Sequence, residues 1–170
     1  DDLNFGKKLV KVDGMVDILV EIETKNSDVG LMDYIMAGYY INKEYKDKLM
    51  IVPNLTLADE EYGIAARKNG AYTAKMISKT IIELSKEGKV LEIAKKYGLE
   101  ESLCIDENEK IDLTDETGKA DYDAIVASGK LVIGYTIFAP IAYEENNELI
   151  GFDIDLAKAV CEKLGLTPEF

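Results

Sequence analysis

An α/β fold is predicted by three features of this 170-residue chain. Short apolar runs such as Leu9–Val12, Leu49–Val52 and Lys130–Gly134 are bounded by turn residues, the pattern of strands. Between them lie longer stretches in which apolar residues recur three and four positions apart, the pattern of helices facing a core. Glycine, asparagine and proline punctuate the joins, at Gly88, Gly98, Asn146-Asn147 and Gly151.

Composition narrows the function classes. Apolar residues make up 47% of the chain, ordinary for a domain with a core. The net charge of −13 argues against nucleic acid as a partner, because phosphate binding needs a basic footprint. The chain holds no histidine, so Ser-His and Cys-His nucleophilic catalysis are excluded within it. No run is long enough to span a membrane and no signal-peptide pattern opens the chain, so an export signal or anchor is expected outside it. Cys104 and Cys161 are too few for a zinc site; Cys161 sits among apolar residues, which favours a buried thiol over a disulfide.

Taken in order, Leu9–Val12 reads as a strand and Asp13 as the cap of a helix with Met15, Ile18, Leu19 and Ile22 on one face. Lys25-Asn26 ends that helix. Val29–Met32 reads as a strand, and Asp33 opens a helix over Tyr34–Ile41. Leu49–Val52 and Glu60–Lys68 read as further strands. Tyr72–Leu84 is a helix with Met76, Thr80, Ile81 and Leu84 inward, and Val90–Tyr97 is another, closed by Gly98. Residues 100–119 are acidic, polar and aperiodic, a linker by composition. Asp106–Glu109 lacks the glycine and terminal glutamate of a calcium loop. A short helix over Tyr122–Ala127 precedes a buried strand at Lys130–Gly134, a corner at Phe138-Ala139-Pro140, a second strand, the Asn146-Asn147 turn, and a helix with Phe152, Leu156, Ala159/Val160 and Leu164 on its inner face.

The stretch from Lys130 through Phe138-Ala139-Pro140 to Gly151-Phe152-Asp153-Ile154-Asp155-Leu156 resembles the opening of amino-acid-binding proteins of ABC importers, extracellular solute-binding protein family 3. Tyr62-Gly63-Ile64-Ala65-Ala66-Arg67-Lys68 resembles the family's return strand between lobes. Leu84–Lys89 with Ile93–Leu99 resembles its closing helices. The order is unusual, because the family begins with the stretch that here follows the closing helices.

The resemblance implies a type II periplasmic-binding-protein-like fold, α/β and two-lobed, in incomplete or circularly permuted form, or a chain spanning the junction of two tandem domains. It implies residues 1–60 as part of the second lobe, 61–99 as the closing part of the first, 100–120 as an acidic linker and 121–170 as the opening part of the first. The implied function is binding of a polar L-amino acid for delivery to ABC permease subunits, outside the cell or in the periplasm, with no cofactor, no metal and no catalysis. Alternatives on the same fold are a cyclohexadienyl or prephenate dehydratase-like enzyme, a ligand-sensing domain, and a fragment that binds nothing.

By the same resemblance Asp33 takes the ligand's α-ammonium group. From the residues alone, an aspartate after a strand and before a helix is equally a helix cap. Phe138 is the candidate wall for the ligand side chain, against core packing as the plain alternative. Thr136 and Met32 stand beside these positions as pocket-lining candidates. The family's arginine motif for the ligand carboxylate has no counterpart, and Arg67, the only arginine, lies in the return strand. A homodimer covering the missing strands is an expected partner state, since an unfinished sheet edge invites pairing.

Overall fold

The computed structural model describes residues 9–55, 58 and 60–170. The polar stretch 1–8 therefore lies outside the described residues. The chain divides into two compact units, Asp1–Leu57 and Ala58–Phe170.

The first unit holds helices α1 (Met15–Glu23) and α2 (Tyr34–Glu44). Gly14, not Asp13, is the N-cap of α1, and its N–H donates to Asp17 Oδ2 at 3.0 Å. The carboxylate three residues into the helix reaches back to the cap, the return half of a capping box. Leu19 is buried, and Ile18 and Ile22 pack so close to Gly30 that a Cβ there would lie 2.2 Å from Ile18 Cγ2. Met15 stays exposed. Helix α2 runs one turn further than its sequence pattern suggests and buries Met36 and Ala37.

The strands expected at Leu9–Val12, Val29–Met32 and Leu49–Val52 do not form ladders, and neither does Glu60–Lys68 in the second unit. Their apolar side chains face out, as at Val29, Leu31, Met50, Val52, Tyr62 and Ile64. A strand is stabilised by cross-strand partners, and local alternation does not supply one.

The second unit carries the core. Helices α3 (Ala71–Lys86), α4 (Lys89–Tyr97), α5 (Lys119–Ser128) and α6 (Phe152–Leu164) accompany strands β1 (Lys130–Val132), β2 (Tyr143–Glu145), β3 (Glu148–Ile150) and β4 (Thr167–Glu169). Leu84, Val90, Ile93, Leu156, Ala159 and Val160 form one cluster, drawn from α3, α4 and α6. The fully buried residues of α3 are Thr73, Thr80, Ile82 and Leu84; Ile81 is half-buried and packs against the core cluster as expected, and Met76 is half-buried. Gly98 closes α4 in the left-handed conformation, φ 70°, which only glycine adopts freely.

Strands β1 and β4 pair in parallel, Leu131 opposite Pro168, with α6 in the connection between them. Parallel pairs require such a crossover. The expected buried strand at Lys130–Gly134 is corrected here: β1 is three residues long and Val132 is 75% exposed. Parallel strands are buried where helices and further strands cover them, and among the described residues β1 has a single partner. Strands β2 and β3 form a hairpin through Asn146 and Asn147, at φ 52° and 64°. Two central residues at positive φ give the turn whose twist matches a two-residue hairpin.

The acidic stretch after α4 starts with the 3-10 turn Glu100–Ser102 and has no regular element from there to α5. It is nonetheless fastened down. Leu103 and Ile105 pack against the core cluster, Ser85 Oγ bonds Glu107 at 2.7 Å, and Lys75 Nζ reaches Asp115 at 2.9 Å. Asp106, Asp112 and Asp115 each accept from the backbone N–H two residues on. These local turns satisfy a backbone that no ladder takes up.

Candidate binding site

The corner at Phe138–Ala142 is built from the backbone outward. Phe138 N–H donates to Ala142 O at 2.7 Å, and the N–H groups of Ile141 and Ala142 both donate to Phe138 O. The Ala139–Pro140 peptide is cis. Ala139, Pro140 and Ala142 are buried, while Phe138 is half-buried with its ring 6.1 Å from that of Tyr62. Phe138 thus presents part of its ring to solvent and braces the rest against a second aromatic.

The corner is latched to the start of α6. Phe152 N–H donates to Pro140 O at 3.1 Å and Asp153 N–H to Ile141 O at 2.9 Å. The first donors of the helix are taken by the corner's carbonyls, which settles two of the groups that every helix N-terminus leaves open. Gly151, the N-cap, has φ 133° and ψ 168°, a region reserved for glycine. A Cβ there would meet Ile141 O at 2.2 Å. The Gly151 N–H donates to Tyr97 Oη at 3.1 Å, and Tyr97 donates its hydroxyl proton to Asp155 Oδ2 at 2.8 Å. Lys96 Nζ holds the same carboxylate at 2.6 Å. Burial alone would raise the Asp155 carboxyl, but the hydrogen bonds from Lys96 and Tyr97 outweigh it and hold it below the usual range. Burial, then the bond to Asp155, pushes the Tyr97 phenol up. Asp153 remains more than a third exposed by area, yet its carboxyl is crowded enough by surrounding atoms to be pushed up.

Of the expected site residues, Thr136 and Phe138 lie in this unit; Thr136 is exposed on the extended segment leading into the corner. Met32 and Asp33 belong to the other unit, and both are half-buried. Asp33 is the N-cap of α2, its Oδ1 accepting from Met36 N–H at 2.8 Å. The capping alternative is therefore realised, and one carboxylate oxygen is engaged in it. Arg67 makes a two-pronged contact with Asp121, both oxygens at 3.0 Å. Asp155 lies in the Gly151–Leu156 motif and Tyr97 in the closing-helix motif, but neither was a candidate site residue. Cys104 and Cys161 are both free, and Cys161 is buried, which raises its thiol. Among the described residues no group of three or more acidic, cysteine or histidine side chains could hold a metal ion. Among them, too, no helix is long and apolar enough to cross a membrane.

Residues 131–170 match the family model of bacterial extracellular solute-binding proteins, family 3. The matched stretch runs from β1 through the corner, hairpin and α6 to β4. It supports solute binding in general and an extracellular or periplasmic setting. No curated protein and no solved structure matches the chain.

Proposed function

We propose that this chain binds a polar L-amino acid and serves an ABC importer. The observation that carries the reading is the family match over residues 131–170, which falls on the stretch where the latched corner and Phe138 lie. A partly exposed aromatic ring on a braced backbone offers a ligand contact area at low entropy cost.

The family resemblance gives Asp33, in the first unit, the ligand's ammonium group, with Met32 beside it, and the aromatic ring proposed as the wall is Phe138 in the second unit, with Thr136 beside it. Asp33 Oδ1 takes the cap bond from Met36 N–H, and each carboxylate oxygen has two lone pairs, so the cap bond does not by itself exhaust the group. The shared core of α3, α4 and α6 supports reading residues 61–99 and 121–170 as closing and opening parts of one lobe, joined by the acidic stretch 100–120. That arrangement suits a permuted domain or the junction of a tandem pair, with a second copy able to cover open strand edges.

Isothermal calorimetry of the chain against each of the twenty amino acids tests the reading. Heat and a thermal shift with at least one polar amino acid are expected. Silence with all twenty removes amino-acid binding by this chain.

A further inference from the structure

We propose that Tyr97 is the positioning residue of the Phe138–Ala142 corner, its hydroxyl setting the place of Gly151 and, through Gly151, the presentation of Phe138. The chain of contacts is short. Gly151 is pressed on one side against Ile141 O and is held on the other by Tyr97 Oη. The residues that follow it, Phe152 and Asp153, donate their N–H groups to Pro140 and Ile141. Phe138 closes the corner through Ala142. Gly151 has no side chain of its own to anchor it, so the bonds of Phe152 and Asp153 to the corner and the phenol's bond to its own N–H fix it. Tyr97 comes from the far end of α4, more than fifty residues earlier. Its hydroxyl faces Asp155, which is itself faced by Lys96 from α4 and by Lys158 from its own helix at 3.9 Å.

The plain alternative is that Tyr97 only fills space, since its ring packs on the core cluster. Tyr97→Phe separates the two, because it keeps the ring and deletes the hydroxyl. The test is amide hydrogen exchange and ¹⁵N-resolved pH titration of the full chain, wild type against Tyr97→Phe and Asp155→Asn. In Tyr97→Phe, exchange at Gly151 should rise about tenfold relative to Val160 inside α6, the fold-change of one net hydrogen bond. The Phe138 and Ala142 amide resonances should move with it. In the wild type the Gly151 resonance should follow an acidic step from Asp155, carried by the hydroxyl beside the backbone bond from Asp155 N–H to Gly151 O, and this step should shrink in Tyr97→Phe. Burial pushes the Asp153 carboxyl up, while the bonds from Lys96 and Tyr97 hold that of Asp155 down, so the Asp153 step comes at the higher pH.

Gly151 exchange that rises no more than Val160 exchange, or an unchanged Asp155 step in Tyr97→Phe, overturns the proposal. Should Tyr97→Phe not fold, Asp155→Asn decides. That variant weakens the acceptor that orients the hydroxyl, so Gly151 exchange must rise, and unchanged exchange counts against the proposal. The consequence for a ligand rests on the solute-binding reading: Tyr97→Phe should weaken whichever amino acid binds the wild type. If none binds the wild type, that reading fails, while the resonance measurements still judge the positioning role.

Discussion

Replacing Gly151 by alanine should be among the most damaging single-methyl changes in the second unit. Two costs add. The backbone at φ 133°, ψ 168° is a glycine-only conformation, and holding alanine there costs about 1–3 kcal/mol. The new Cβ would also meet Ile141 O at 2.2 Å, Ile141 C at 2.6 Å and Ala142 Cα at 2.7 Å. All three are backbone atoms of the buried corner, so nothing flexible can swing aside. Overpacking of this kind costs about 1–3 kcal/mol more. The sum, roughly 2–6 kcal/mol, is a large share of a typical domain stability of about 5–15 kcal/mol. Two control variants separate the terms. Gly165→Ala carries a positive φ of 70° with nothing within 4 Å, so it should show only the conformational cost, about 1 kcal/mol. Gly134→Ala has neither feature and should be neutral or slightly stabilising. Urea denaturation followed by circular dichroism gives the three midpoints. A Gly151→Ala midpoint no lower than that of Gly165→Ala would refute the claim that the corner is pressed against the helix start.

Other consequences are measurable in the same way. Stability should fall on acidification, because Asp155 has a depressed carboxyl in the fold: its contribution is complete above the unfolded carboxylate value and is lost as pH drops through the folded one. Asp153 acts with the opposite sign, so Asp155→Asn should flatten the acid limb, and Asp153→Asn should steepen it, in pH-dependent melting curves. An acid limb unchanged by Asp155→Asn would contradict the assignment. The acidic stretch should resist proteolysis between Leu103 and Asp115 despite its composition. Leu103→Ala together with Ile105→Ala should expose it to cleavage, a result checked by limited digestion and mass mapping.

The helices were legible because their signal is local. The apolar spacing in Met15–Ile22, Val90–Tyr97 and Phe152–Leu164 is enough to define a buried face, and Gly98 announces its own cap. The corner and hairpin were legible for the same reason, since proline and paired asparagines restrict the backbone directly. Strands were not. Val29–Met32 and Leu49–Val52 carry the residues of a strand, but a ladder needs a distant partner that the sequence pattern does not name. The docking of the acidic stretch was equally hidden, because two half-buried residues, Leu103 and Ile105, are outvoted by their charged neighbours in any reading of composition. Tyr97 lay outside the candidate residues since its role depends on one hydroxyl meeting Gly151 and Asp155 more than fifty positions away. For Asp33 both the cap and the ligand role were legible, and the cap is realised in the bond from Met36 N–H.

That ambiguity points to the most direct test. Asparagine caps helices about as well as aspartate, so Asp33→Asn should keep the α2 cap and the melting temperature while removing the charge. Calorimetric titration of the wild type and Asp33→Asn with the best-bound amino acid, with the melting temperature of each as the control on folding, therefore reads the ligand role. Saturable binding by the wild type, weakened by about 3–5 kcal/mol in the variant, is the predicted result. Equal affinity in the two proteins would contradict the role given to Asp33, and no binding by the wild type to any amino acid would contradict the account as a whole.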